Sequence, residues 1–231
     1  MKNVGLGELV LVAPRTRVGA VGERMAAHAR DVLAARTTAP DLATAVADCV
    51  LVVGTAGRDF AHLSPVDPRE AAHEIIAATA LGRVALVFGP EDHGLSNADL
   101  GMCQRLVRIP TADAYPSLNL AQAIAVCGYE VLRAALASGV GPAAAPVPTR
   151  RRRSVVDSGA DGERSPASSA EREALLDHFA QALASIGFLS RQNPEHILAD
   201  MRALFSRAGL TRRDVKIWRG IARQMLWAAR R

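Results

Sequence analysis

Three short stretches of this chain hold residues of the type and spacing that chemistry needs. They are GTAGR at 54–58, GPEDHGLS at 89–96 and IPTADAYPSLN at 109–119. Each is rich in Gly, Pro and small polar residues, and each follows an apolar run. Gly89 and Gly94 would let the backbone approach a ligand closely. In the third stretch, Pro116-Ser117-Leu118-Asn119 opens an otherwise apolar helix. The first backbone N–H groups of a helix lack intrahelical partners, so Ser and Asn there satisfy them as caps. The same N–H groups can also hold a small ligand. One such loop by itself reads as a turn; three in succession point to a shared site. Glu91, Asp92 and His93 are acid–base or metal-ligating types, but the six histidines show no ligand spacing and no metal is expected. The patterns GxxxxGK[ST], GxGxxG after a strand, HExxH and GxSxG do not occur.

The elements that must position these loops are legible as alternating periodicities. Buried strands are expected at 7–14, 49–57, 83–91 and 105–110, where apolar and β-branched residues run together. Between them, ERMAAHARDVL and DLATAVADC read as helices, the second from an Asp cap. Residues 67–82 read as a helix with Pro68 in its first turn and Gly82 at its end. LSNADLGMC is a further short helix, and a helix from about Ser117 to Ala137 closes the set. Such alternation predicts an α/β fold with a mostly parallel sheet covered by helices on both faces. Ligands in such sheets bind beyond the C-terminal strand ends, where all three loops fall.

Past Ala137 the composition changes. Residues 138–169 are dominated by Pro, Gly, Ser and Ala with the run Arg150 to Arg153, and read as a flexible linker. Residues 170–231 read as a small helical module. Leu175, Leu176, Phe179, Leu183 and Ile186 form one apolar face, and a second helix opens at Asn193-Pro194. Thr211 and Asp214 form a capping box ahead of a last helix carrying Val215, Trp218, Ile221, Met225 and Leu226. Trp218 and Trp227 read as packing residues. The net charge of +5 is uneven: residues 1–149 carry 12 Lys+Arg against 14 Asp+Glu, while 150–231 carry 16 against 9. A basic half beside a near-neutral half suits a polyanionic partner, nucleic acid being the commonest. Cys49, Cys103 and Cys127 have no CxxC pairing and read as small buried hydrophobes in a reducing compartment. Neither a secretory leader nor an apolar run of transmembrane length is indicated.

LVFGPEDHGLSNADL and IPTADAYPSLNLAQAIAVCGYEV resemble the second and third motifs of the SPOUT-class (SpoU-type) RNA 2′-O-ribose methyltransferases, at that family's spacing. IGFLSRQNPEHILADMRALFSRAGLTRRDVKIWRGIARQ resembles the helical extension of the TrmJ-type branch, which methylates nucleotide 32 of the tRNA anticodon loop. The resemblance implies a SPOUT methyltransferase domain at 1–137, its C-terminal part tucked into a trefoil knot, and a tRNA-binding accessory domain at 170–231. It implies S-adenosylmethionine as cofactor, held by Thr55, Ala56 and Gly57, by Gly89, by Ile109, and by Pro116, Ser117 and Leu118. Ser117 is the residue present in this chain that the resemblance places at the reacting groups. Glu91 and Asn119 are expected to brace these loops or the dimer rather than to do chemistry. A cytoplasmic homodimer acting on tRNA, with no metal and no membrane, completes the expectation.

One departure bears on activity. The family opens with a strand and an Asn-x-Gly…Ala-Arg-Ala-Met-Lys-Asn pattern, whereas this sequence begins at Met1-Lys2-Asn3-Val4-Gly5, the tail of that pattern. The Arg that the family directs at the ribose 2′-OH or the RNA phosphate has no match here. Either the start lies upstream, or the chain binds RNA or cofactor without turnover; as written, it is expected to have little methyltransferase activity. The alternatives are a catalytically impaired RNA-binding protein on the same fold, an rRNA methyltransferase, and a small-molecule α/β enzyme using another nucleotide cofactor.

Overall fold

In a computed structural model, residues 1–60, 63–112, 118–139, 160–189 and 194–230 are described. The core is a parallel sheet in the order β4-β3-β5, built from β3 (Cys49–Thr55), β4 (Arg83–Val87) and β5 (Arg105–Val107). β3 pairs with β4 from Cys49↔Arg83 to Gly54↔Val87 and with β5 from Val53↔Arg105 to Thr55↔Val107. All three strands therefore end together, and the loops after them leave one edge of the sheet.

Alternation along β3 sends Val52 and Val53, both fully buried, to opposite faces. Val53 packs with Ala71, Ala72 and Ile75 of α4 (Pro68–Thr79) and with Cys127, Val131 and Ala134 of α6 (Leu120–Ala137). Val52 packs with Leu42 of α3 (Leu42–Ala45), Leu100 of α5 (Asn97–Met102), Cys103 and Leu106. Helices thus cover both faces, as the alternation requires. Their starts follow local chemistry. Asp41, Asp67 and Ser96 accept hydrogen bonds from the N–H of Thr44, Glu70 and Asp99 respectively. α6 is long and apolar enough by length and composition to cross a membrane, but its inner face packs on α4 and β3 as a core helix.

The N-terminal segment departs from expectation. β1 (Val10–Val12) pairs only with β2 (Thr37–Ala39), as a separate two-stranded parallel sheet. Its Val10 and Val12 are 36% and 39% exposed, so the strand expected to be buried is not. β2 was not legible, because TTA is too short to show a period. The expected helix at ERMAAHARDVL is split into α1 (Ala20–Met25), a 3-10 turn and α2 (Arg30–Ala34), because Ala27 takes a φ of 44° that no right-handed helix contains.

The C-terminal module comprises α8 (Ser169–Ser185), α9 (Pro194–Ala208) and α10 (Arg212–Ala228). Leu175, Leu176, Phe179 and Leu183 are buried against Phe205, Leu210, Val215 and Ala222. Phe179, Phe205 and Trp218 form an aromatic cluster with ring centroids 5.5–6.0 Å apart. Trp218 is thus a packing residue, whereas Trp227 is 49% exposed. Ile186 and Ile221 are exposed: Ile186 is already the C-cap of α8, and Ala222 takes the inward position on α10. Within the expected linker, residues 140–159 lie outside those described. Its last part carries structure: α7 (Ala160–Arg164), a bridge from Pro166 to Thr211, and a Ser168–Glu171 capping box that starts α8.

All three cysteines are buried, and burial pushes their thiols up, to about 11 for Cys49 and Cys127 and about 12 for Cys103. At pH 8 on the order of one Cys49 or Cys127 thiol in a thousand is thiolate. Native protein is expected to resist iodoacetamide at pH 8 and to take up three equivalents in denaturant, followed by mass spectrometry. Because the folded thiols hold their protons more tightly, this contribution to stability is complete below about pH 9. It is lost as pH rises from there through 11 to 12.

Candidate cofactor site

The three loops meet at the C-terminal edge of the sheet, stitched to one another by named bonds. The first loop is tied to both flanks of the second, where Thr55 Oγ1 donates to Val87 O at the end of β4 at 3.2 Å and where Arg58 bonds Asn97 Oδ1 at the start of α5. The first is tied to the end of β5, where the third loop begins, by the N–H of Ala56 donating to Val107 O at 2.9 Å and by an Arg108–Asp59 ion pair at 3.0 Å. The second is tied to the third by Glu91, whose Oε1 accepts from Asn119 Nδ2 at 3.0 Å and from the N–H of Leu120 at 3.3 Å. Glu91 therefore lies at the N-terminus of α6, where the helix dipole favours a carboxylate. Asn119 caps that helix in a box with Gln122. Glu91 and Asn119 thus brace the loops, one of the two roles the resemblance led us to expect.

The second loop folds tightly on itself. The N–H of Gly94 donates to Pro90 O at 2.8 Å, and Gly94 takes a φ of 68°. A Cβ at Gly89 would lie 2.2 Å from Gly94 C and 2.3 Å from Leu95 N, so only glycine fits. His93 and Asp92 approach at 3.5 Å on the surface, and His93 Nδ1 lies 2.9 Å from Gly94 O. Among the described residues no group of three or more His, Cys, Asp or Glu is placed to hold a metal ion.

Of the residues assigned to the cofactor, Thr55, Ala56, Gly57, Gly89, Ile109 and Leu118 all sit on this edge. Pro116 and Ser117 lie outside the described residues. Thr55, Ala56, Ile109 and Leu118 are half-buried, and a Cβ on Gly57 would meet nothing within 4 Å. The edge therefore offers partly exposed apolar side chains beside glycine backbone that faces open space, and these residues fit a nucleoside. The ties that draw the loops together were not legible in the sequence, since each joins residues 28 to 51 positions apart. A separate cavity of about 580 Å³ lies away from this edge, between the helical module and the start of β3, lined by Val50, Glu74, Arg105, Arg172 and Arg207 among others.

An α/β core with three loops gathered at its strand ends is followed by a basic three-helix module; comparison with known proteins gives this architecture its class. The model of the SpoU rRNA methylase family matches residues 1–129, and that of the tRNA methyltransferase TrmJ C-terminal domain matches residues 170–231. The chain belongs to the SpoU rRNA methylase family and, within it, to the TrmJ type that carries this C-terminal domain.

It is 37% identical over 232 residues to tRNA (cytidine/uridine/adenosine-2′-O-)-methyltransferase TrmJ of Pseudomonas aeruginosa, covering 100% of this chain and 87% of that protein. It is 36% identical over 223 residues to tRNA (cytidine/uridine-2′-O-)-methyltransferase TrmJ of Salmonella typhimurium, covering 96% and 86%. Among solved structures, TrmJ from Zymomonas mobilis superposes with a TM-score of 0.76 at 28% identity, covering 97% of this chain and 89% of that one.

Proposed function

We propose that the protein transfers a methyl group from S-adenosylmethionine to a ribose 2′-oxygen in tRNA, at nucleotide 32 of the anticodon loop. The observation that carries this reading is the gathering of three loops at one sheet edge in a chain that also bears the TrmJ-type C-terminal domain. S-adenosylmethionine supplies a methyl carbon already activated by the adjacent positive sulfur. What remains for the protein is positioning and removal of the 2′-OH proton. Thr55, Ala56 and Gly57 would hold the cofactor from the first loop and Gly89 from the second, Ile109 would contact its adenine, and Leu118 would hold it from the last loop. Pro116 and Ser117, which lie outside the described residues, would join them by the family motif, and by the same motif Ser117 is assigned to the reacting groups.

We assign residues 1–137 to the methyltransferase domain, with the knotted crossing of its family. Residues 138–169 are the connecting segment and 170–231 the tRNA-binding module. Arg219 and Arg223 of α10 are exposed, while Arg213 and Lys216 pair with Glu163 of α7 and Arg212 pairs with Glu171, so the cationic face is held in place by acidic neighbours. A homodimer is part of the reading: Val126, Tyr129 and Leu136 of α6 are 39%, 52% and 58% exposed, an apolar face suited to a second copy. The protein works where tRNA is, in the cytoplasm.

The family model's own description names rRNA, which makes rRNA the second reading. Nucleoside analysis of both RNAs from a deletion strain separates the two. Loss of 2′-O-methylation at tRNA position 32, with rRNA unchanged, is the expected result. Intact tRNA methylation in that strain would overturn the proposal. Binding of labelled S-adenosylmethionine, with no response to NAD or ATP, excludes the small-molecule alternative.

A further inference from the structure

The link between the helical module and the sheet rests on a charged side chain in an unexpected place. Arg172 of α8 is only 7% exposed. It has no carboxylate partner among the described ion pairs. Instead its Nη1 donates to two backbone carbonyls, Ala167 O at 2.5 Å and Val50 O at 3.3 Å. Its Nη2 is buried with no hydrogen-bond partner among the described residues. Burial pulls its pKa down, the direction expected of a cation removed from water.

Val50 is itself unusual. Cys49 pairs with Arg83 and Leu51 with Val84, so Val50 is the extra residue of a bulge in β3. Beside it, the N–H of Ala170 donates to Ala47 O at 3.0 Å, and Arg202 of α9 pairs with Glu173 at 2.9 Å.

We propose that Arg172 is a positioning residue. It latches the helical module onto the sheet by gripping the carbonyl of the β3 bulge, and so sets the angle at which the module presents RNA to the loops at the far end of the same strand. A buried cation held only by carbonyls is a poor source of stability, since desolvation offsets most of the gain. What it supplies is a single geometry: the planar guanidinium meets two carbonyls on different segments, and no apolar side chain of similar volume can do that. β3 runs from Cys49 to Thr55, so a module fixed near its start is joined through one strand to the loop at its end. The consequence for RNA rests on the tRNA reading above; the latch itself does not.

The experiment compares the full chain with Arg172→Met and Arg172→Lys. Spin labels are placed on exposed Arg69→Cys of α4 and Gln224→Cys of α10; the native cysteines are buried and stay unlabelled. In Arg172→Met the inter-label distance distribution is expected to broaden while the melting temperature stays within about 5 °C of the parent. The affinity for S-adenosylmethionine is expected to be unchanged, and that for tRNA to fall about tenfold, because the two RNA-contacting parts no longer act as one preorganised surface. Arg172→Lys, whose ammonium keeps the charge and the donors on a shorter side chain, is expected to fall between. An unchanged distance distribution in Arg172→Met overturns the latch. So does a collapse in melting temperature with loss of both ligands, which makes Arg172 a stability residue only. If the parent chain binds no tRNA, the reading of function fails while the label distances still decide the latch.

Discussion

Gly89→Ala is expected to lower the affinity for S-adenosylmethionine by about a hundredfold or more, with a melting temperature only a few degrees below the parent. The added methyl would sit 2.2 Å from Gly94 C, 2.3 Å from Leu95 N and 2.7 Å from Gly94 O. All three are backbone atoms, so no flexible side chain can swing aside. The loop must open, and it cannot open alone. It carries Glu91, whose carboxylate holds Asn119 and the first turn of α6, so displacing one loop loosens the next. The global fold has less to lose. Gly89 lies beyond the end of β4, and the buried residues Val52, Val53, Leu106 and Val107 do not depend on it. Titration calorimetry with the cofactor and a thermal melt check the two halves of this result. Wild-type cofactor affinity in the variant would remove the second loop from the site.

The second large effect is expected in the other half of the chain. Phe179→Ala should destabilise the helical module by about 3–5 kcal/mol, the usual cost of emptying an aromatic site in a packed core. Phe179 is 5% exposed and meets Trp218 at 5.6 Å and Phe205 at 6.0 Å, both nearly edge-on. Each such pair adds roughly 0.5–1.5 kcal/mol beyond area burial. A three-helix module of this size has little stability to spare, so it should unfold separately from the core, giving a first transition at low urea. The core should retain S-adenosylmethionine binding while tRNA binding is lost. Loss of both ligands together, in one transition, would show that module and core do not fold as separable units.

How much of this was legible follows from the reach of each interaction. The caps at Asp41 and Thr211 act over three residues, and α3 and α10 begin where those residues said they would; Asp67 and Ser96 cap α4 and α5 in the same way. Asn119, one of the two expected caps, is the N-cap of α6, and the helix starts at Leu120, three residues past the expected start near Ser117, a difference no sequence period resolves. The strands of the central sheet were legible because a strand covered on both faces is apolar throughout, which makes β3 and β4 stand out. β1 was read as buried on the same grounds, and wrongly. Its composition is that of a core strand, but it pairs with three-residue β2 and keeps its valines partly in water. Composition reports what a strand can bury, not what lies against it.

The sequence by itself determined the α/β alternation, the place of the three loops at strand ends, and the apolar faces of the C-terminal helices. All of these are encoded in periods and caps a few residues long. Only the tertiary structure decided that Glu91 would reach Asn119 and that the loops would be tied to one another. It also decided that the last residues of the expected linker would pack against Leu210 and Thr211, and that a bulge at Val50 would meet a buried arginine 122 residues away. These are meetings between distant segments. Their partners are fixed by how the sheet and the module stack, and no local pattern of side chains carries that information.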